Sequence, residues 1–153
     1  MSSRSLVRWT VKHFNDLSPF ELYAILRLRN EVFVVEQNCV FQDADNKDQR
    51  AWHLMGWLGE NLVAGTRLLP AGVTFAEASI GRVVTSPSVR GQDIGKELMR
   101  QSIERLGQFI GVVPIRIGAQ LYLKGFYEAF GFVQASEVYL EDSIEHIEMI
   151  RNS

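Results

Sequence analysis

One segment constrains the fold of this chain most: an apolar run that stops at a proline and continues through a glycine-bearing turn into a helix. Residues 78–85 are predominantly apolar and predict a buried strand, which Ser86-Pro87 ends. From Ile94 onward the apolar residues recur at helical spacing, so a helix is predicted to begin there. A strand that leads this directly into a helix favours a sheet with helices packed against it.

The turn between this strand and this helix has the features of an anion site. The first N–H groups of a helix have no intrahelical partners and lie at the positive end of the helix dipole. Gly91 and Gly95 leave the backbone open to a ligand, and Arg90 and Lys96 add positive charge. A phosphate is the obvious occupant. The alternative is an ordinary strand-to-helix turn whose glycines only relieve strain.

The rest of the chain predicts an α/β or α+β fold with an antiparallel hairpin. Ser18, Pro19 and Glu21 form a capping box that begins a helix, and Gly59-Glu60-Asn61 is a hairpin turn. Gly107 is expected to end the helix that begins at Ile94. The predicted elements are a strand over 6–14, a helix over 19–35, strands over 51–58, 62–69 and 78–85, a helix from 94, a strand over 114–119, a helix over 121–130 and two short strands in 132–153 around a turn at 141–143.

Composition narrows the function classes. The 153 residues carry 16 Lys and Arg against 18 Asp and Glu, so the chain lacks the cationic excess on which non-specific nucleic-acid binding depends. Cys39 stands alone, which excludes an intrachain disulfide and predicts a reducing, cytoplasmic environment. No stretch approaches the ~18 apolar residues of a membrane span, so no membrane partner is expected. We predict one domain over residues 1–153.

The glycine-bearing turn is neither a Walker loop nor a GxGxxG turn, but it resembles the acyl-CoA loop of the GNAT acyltransferases, R/Q-x-x-G-x-G/A. Arg90, Ile94 and Gly95 match, whereas Asp93 occupies the position of the first family glycine. Since that places a carboxylate near the expected pyrophosphate, the Asp93 side chain should point outward, and a positive φ there costs Asp more than glycine. The resemblance implies acyl-CoA contacts from Val83, Val84, Thr85, Arg90, Gly91, Gln92, Asp93, Ile94, Gly95 and Lys96.

A second segment resembles the same family through its F-Y-x-x-x-G-F pattern, from Phe126 to Phe132. By resemblance, Tyr127 is the general acid that protonates the departing CoA thiolate. The alternative is that Tyr127 is a core aromatic packed with Phe126 and Phe130.

Further blocks along nearly the whole chain are similar to the bacterial ElaA branch of the GNAT family. The resemblance implies a mixed, mostly antiparallel central sheet flanked by helices and splayed between its fourth and fifth strands, with CoA in the cleft. The blocks are Leu28-Arg29, residues 32–39, residues 42–45, residues 80–83, Gly118-Ala119-Gln120, and Glu141-Asp142 with His146-Ile147.

The general base is not fixed by the resemblance, because residues 79–84 carry Arg82 where many GNAT enzymes have a Glu. His146 needs the least tuning to act near neutral pH, and Glu36 is the next candidate; the alternative for His146 is a histidine satisfied within a strand. The acceptor substrate is expected to contact Arg29, Phe33, Asp43, Asp45 and Gln120.

Acidic residues gather in two segments, which predicts an acceptor mouth with negative potential that attracts a cationic amine. The alternative is that they are solvated surface carboxylates. They are Asp43, Asp45 and Asp48 after the first helix, and Glu141, Asp142, Glu145 and Glu148 near the carboxyl terminus.

We therefore expect an enzyme that moves an acetyl group from acetyl-CoA to a primary amine of a small molecule by direct attack, without a metal. Two alternatives stay open. One is an acyl-homoserine-lactone synthase, which Arg29, Phe33, the three aspartates and Gly65–Pro70 resemble; the other is a catalytically silent CoA-binding module. The sequence leaves a homodimer open.

Overall fold

The computed structural model describes residues 6–153, which form eight strands and three α-helices joined by short 3-10 turns and one π-helical stretch. The strands are β1 (Arg8–His13), β2 (Trp52–Leu58), β3 (Asn61–Leu69), β4 (Ser79–Thr85), β5 (Ile115–Gln120), β6 (Val133–Gln134), β7 (Tyr139–Glu141) and β8 (Ile144–Arg151). The α-helices are α1 (Pro19–Arg29), α2 (Ile94–Phe109) and α3 (Lys124–Glu128), and a π-helical stretch, Asn30–Glu36, continues α1.

The strands form two sheets that meet at one end. The first sheet has the order β1-β2-β3-β4, and in the second β8 lies between β5 and β6 and also pairs with β7; all of these pairs are antiparallel. Between β4 and β5 the described residues form one parallel bridge, where the Arg116 N–H donates to the Ala78 carbonyl at 2.9 Å. Beyond this bridge the two strands diverge, and the predicted splay between the fourth and fifth strands is confirmed.

A shared core fixes the orientation of the two sheets. Met99 and Leu106 of α2 pack with Ile117 of β5 and with Ile147 and Met149 of β8, and each of these side chains is almost fully buried. Because protein interiors are close-packed, the splay is a fixed feature of the fold.

The first helix begins as predicted and ends differently. The Ser18 N–H donates to Glu21 Oε1 at 2.8 Å and the Glu21 N–H to Ser18 Oγ at 3.1 Å, which confirms the capping box. The predicted α-helix to residue 35 is wrong in its last two turns, because the winding widens at Asn30 into a π-helix. β-Branched Val32, Val34 and Val35 favour α-helix less than the leucines before them, and π-turns are frequent at functional sites.

Other boundaries also differ from the sequence predictions. The helix predicted over 121–130 is α-helical only over Lys124–Glu128 and follows a 3-10 turn at Leu121–Leu123. The hairpin turn is confined to Gly59-Glu60, since Asn61 already pairs with Leu58. Gly107 does not end α2: the helix continues to Phe109, whose ring packs on Trp52 at 4.7 Å between centroids, and Gly111 follows with φ +143°. The carboxyl-terminal region has three strands instead of two, because β6 is only two residues long and leaves no alternating pattern.

None of the described helices is long and apolar enough to cross a membrane.

Candidate active site

The splay between β4 and β5 opens a cleft of about 600 Å³. Its walls come from the two strands, from the π-helical stretch and the loop after it, from the segment that carries α3, and from the turn between β7 and β8. Of the residues predicted to form the site, the structure brings these to the cleft: Phe33, Glu36, Asp43, Val83, Val84, Thr85, Arg90, Gln120, Tyr127 and His146.

At the end of β4 the chain forms the turn that the sequence singled out. Gly91 has φ +81° and Asp93 φ +61°, and α2 begins at Ile94. Asp93 therefore takes the left-handed conformation that a glycine adopts at no cost. Its side chain is 59% exposed and lies 3.9 Å from Lys96 Nζ, so it points outward as expected.

The same turn leaves room for a ligand against the backbone. A Cβ atom placed on Gly91 or Gly95 would meet no atom within 4 Å. The first N–H groups of α2, a helix of 16 residues, face this space with the positive end of the helix dipole. Residues 91–96 lie just outside the cleft wall, beside Arg90 at its end, and leave their backbone open to a ligand.

Arg90 joins this turn to the π-helical stretch. Its guanidinium donates to both carboxylate oxygens of Glu36, at 2.6 and 2.7 Å, and to the Thr85 carbonyl at 3.2 Å. The hydrogen bonds from Arg90 lower the pKa of Glu36. Since a base with a lowered pKa and an occupied carboxylate accepts a proton poorly, the geometry disfavours Glu36 as the general base.

Tyr127 lies in the cleft wall with its ring in the core. The residue is only 6% exposed, and its ring packs edge-on against Phe126 and Phe132. Its hydroxyl makes no hydrogen bond to any residue in the described range. Burial raises the pKa of Tyr127 to about 12, so the group is protonated at neutral pH and able to donate a hydrogen bond or a proton.

His146 of β8 lines the cleft and is the cross-strand partner of Gln120 of β5. It is 8% exposed, and its ring stacks on Tyr139 at 5.9 Å between centroids. Nδ1 lies 2.8 Å from the Ile144 carbonyl, which can only accept, so Nδ1 carries the proton of the neutral ring and Nε2 has a free lone pair. Glu141 Oε2 lies 3.4 Å from Nε2, well placed to stabilise the ring once Nε2 is protonated.

Three arginines and three aspartates form a compact cluster, here called the arginine–aspartate cluster, and two of them, Arg82 and Asp43, line the cleft. Its members are Arg29, Arg67, Arg82, Asp43, Asp45 and Asp48. The N–O distances include 2.8 Å from Arg29 to Asp43, 2.8 Å from Arg67 to Asp45 and 2.8 Å from Arg82 to Asp43. Burial raises the pKa of Asp45, but its ion pairs with Arg67 and Arg82 outweigh burial and lower the pKa to about 2.

This cluster changes the interpretation of three predicted substrate residues. Arg29 is 2% exposed and does not line the cleft, and neither does Asp45. Asp43 lines the cleft but is paired with two arginines. Since the six charges compensate one another, the aspartates do not supply the negative potential inferred from their number in the sequence.

Of the carboxyl-terminal acidic residues, too, only some contribute charge to the cleft. Glu148 is paired with Arg116 at 3.0 Å, and Glu145 is exposed and lies outside the cleft. Glu141 and Asp142 do line the cleft. The acidic edge is therefore smaller than predicted and consists of these two residues.

Sequence reasoning missed Arg67 and the ion pairs of Asp48, and it noted Arg82 only as the residue present where a carboxylate was expected. Arg82 has φ +50° where β4 bulges against β3, an unusual conformation that the ion pairs with Asp43 and Asp45 support. These partners are 37 or more residues apart in sequence, and no local pattern indicates such a pairing.

Comparisons with known proteins agree with this geometry. Residues 59–152 match the family described as "Acetyltransferase (GNAT) domain". The chain is 41% identical over 148 residues to Protein ElaA of Escherichia coli K12, covering 95% of this chain and 97% of ElaA. The crystal structure of ElaA superposes with a TM-score of 0.89 at 40% identity, covering 95% of this chain and 99% of that chain.

Two further structures are informative. An acyl-CoA N-acyltransferase from Pseudomonas aeruginosa has a TM-score of 0.91 at 44% identity, covering 95% of this chain and 99% of that one. The CoA-dependent acyl-homoserine lactone synthase BjaI has a TM-score of 0.77 at 16% identity, covering 96% and 82%, and shares the fold alone. The cleft, the family match and these relatives lead to one conclusion: the chain belongs to the GNAT acetyltransferase family and is an acyltransferase.

Proposed function

We propose that this protein transfers the acetyl group of acetyl-CoA to the primary amine of a small molecule by direct attack. One observation carries the proposal: a buried proton donor, the Tyr127 hydroxyl, and a buried proton acceptor, His146 Nε2, share one cleft, and neither is satisfied by hydrogen bonds within the described range. A direct transfer needs both, because the amine must lose a proton and the thiolate must gain one.

The donor would bind along β4 and the turn after it. Where β4 leaves β5, the backbone of Val83, Val84 and Thr85 borders the cleft and is available to pair with the pantetheine arm. Residues 90–96 would hold the pyrophosphate through the N–H groups at the start of α2, where Gly91 and Gly95 leave open space. Both parts fit an extended CoA molecule, and the CoA supplies the activated thioester.

The acceptor amine would enter beside His146. His146 Nε2 takes a proton from the ammonium and passes it to solvent. The neutral nitrogen then forms the new C–N bond as the C–S bond breaks, Tyr127 gives its proton to the thiolate sulfur, and the acylated nitrogen loses its second proton to His146 Nε2. Tyr127 recovers a proton from solvent, and His146 releases its own to solvent. Glu141 stabilises the protonated ring of His146 from 3.4 Å.

Direct attack has one competitor in the cleft, since Cys39 also lines it. A covalent route through Cys39 would need a nearby base to form the thiolate, and among the described residues no hydrogen bond or ion pair joins Cys39 to one. We expect Cys39→Ser to retain most of the turnover. Loss of activity in this variant, together with ping-pong kinetics, would replace direct attack by a covalent route.

The experiment that tests the proposal is a thiol-release assay with acetyl-CoA and a panel of amines, with the acetylated product identified by mass spectrometry. We expect amine-dependent release of CoA and a product heavier by one acetyl group. Tight binding of CoA with no turnover on any amine would instead identify a CoA-binding module. A preference for a longer acyl-CoA would keep acyl transfer as the reaction and would replace acetyl-CoA as the donor.

A further inference from the structure

The charges that line the cleft fall into two groups. Arg90 is engaged by Glu36 and Arg82 by Asp43, so both arginines of the wall are already paired. Glu141 and Asp142 remain, side by side at the turn between β7 and β8. Within the described range the ion-pair partner of Glu141 is His146, and Asp142 has none. This end of the cleft therefore has negative charge and no spare cation.

Two buried polar groups make this end a binding site and not only an acidic edge. His146 Nε2 and the Tyr127 hydroxyl belong to residues more than nine-tenths buried, and both line the same cleft. Neither atom makes a hydrogen bond in the described part of the chain and neither is fully shielded from the cleft, so both are open to a ligand there. A ligand that supplies a nitrogen to His146 would satisfy one of them.

Aromatic side chains also line the cleft, among polar ones such as Gln42 and Gln120. Phe33, Phe41 and Tyr122 are the aromatic residues that concern the acceptor, and two of them are open to solvent: Phe41 is 53% exposed and Tyr122 is 77% exposed. Covering them with an apolar surface is favourable, because it removes that surface from water.

From this arrangement we infer the class of acceptor: a primary amine on an apolar body that carries no carboxylate or phosphate. That the acceptor is a primary amine rests on the proposed function. An anionic group on the acceptor would face Glu141 and Asp142 and would find both arginines already paired. An aromatic or aliphatic body would instead cover Phe41 and Tyr122. Amino acids and phosphorylated amines are therefore poor acceptors.

The test compares two compounds that differ by one carboxylate, phenethylamine and phenylalanine, at a fixed concentration of acetyl-CoA. We expect kcat/KM to be about tenfold or more higher for phenethylamine, because like charges repel through a few ångströms of partly desolvated space. Asp142→Asn should reduce this ratio several-fold. Glu145→Gln removes one charge from the same hairpin outside the cleft and should leave the ratio unchanged. A ratio also cancels any effect of the substitution on the shared chemical step.

Saturation-transfer NMR measures the binding of both compounds to the protein with CoA present. Together with the turnover assay, it distinguishes a failure of this inference from a failure of the proposed function. Transfer to both compounds at similar kcat/KM would leave the proposed function standing and overturn the acceptor class. Selective binding of phenethylamine without transfer would support the acceptor class and overturn the proposed function. Preference for phenylalanine, or binding of neither compound, would overturn the inference.

Discussion

Removing the charge of Asp45 should show how much the ion pairs of the arginine–aspartate cluster contribute to the free energy of unfolding. Asp45→Asn keeps the shape of the side chain and its capacity to accept the Lys47 N–H, which it now does at 3.1 Å. It removes the charge that faces Arg67 at 2.8 Å and Arg82 at 3.4 Å. The substitution therefore isolates the electrostatic contribution of one carboxylate.

The expected magnitude follows from the pKa of Asp45. Lowering the pKa from 3.8 to about 2 on folding corresponds to at most ~2.5 kcal/mol of stability at neutral pH. Because 24% of the Asp45 side chain is exposed and solvent screens its ion pairs, we expect ~1–2 kcal/mol. This stability is fully present above the unfolded pKa and is lost as the pH falls through the folded pKa, so about half of it should be gone near pH 3.

The assay is urea unfolding followed by tryptophan fluorescence, for the parent protein and Asp45→Asn at pH 7, 5 and 3. The difference in unfolding free energy should be constant between pH 7 and 5 and should shrink at pH 3. Glu145→Gln, which removes an exposed charge with no ion pair in the described range, is the control and should stay within ~0.5 kcal/mol. A difference for Asp45→Asn that does not change with pH would refute the electrostatic reasoning.

Two further predictions concern the donor and the base. Gly95→Glu should abolish binding of acetyl-CoA in calorimetry while Gly95→Ala binds normally, since an added Cβ meets no atom within 4 Å but a carboxylate repels phosphate; normal binding by Gly95→Glu would move the donor site elsewhere. His146→Gln should lower kcat and remove the acidic limb of the pH–rate profile, whereas Glu36→Gln should leave the shape of that profile intact because Arg90 already occupies Glu36. The opposite pattern would make Glu36 the base.

The elements that the sequence predicted well are those whose signals are local. The capping box at Ser18 and the glycine at the first hairpin turn depend on neighbouring residues, and both appear where they were expected. The splay between the fourth and fifth strands came from a family resemblance, because two parallel strands that separate leave no mark in their own periodicity. Gly107 shows the limit of a local signal: contact of Phe109 with Trp52, across the fold, extends the helix beyond it.

In the candidate site, too, the residues with a local sequence signal were predicted well and those that depend on tertiary contacts were not. Motifs placed Tyr127 and Arg90 at the cleft, with residues 91–96 beside it, since each motif is a contiguous pattern. Counting aspartates predicted an acidic mouth, but the charge of Asp43 and Asp45 depends on arginines that are distant in sequence. A count of charges gives the net charge of a segment and not the potential that it presents, because pairing is decided by tertiary structure.

The central claim is that Tyr127 protonates the departing thiolate during transfer to an amine. Tyr127→Phe removes one hydroxyl from a ring that Phe126 and Phe132 hold in place. The measurement is kcat with the best amine of the panel, together with the Kd of acetyl-CoA by calorimetry. We expect an unchanged Kd and a kcat that is lower by about 10²–10⁴-fold. Equal kcat in the two proteins would contradict it and leave Tyr127 as a core aromatic.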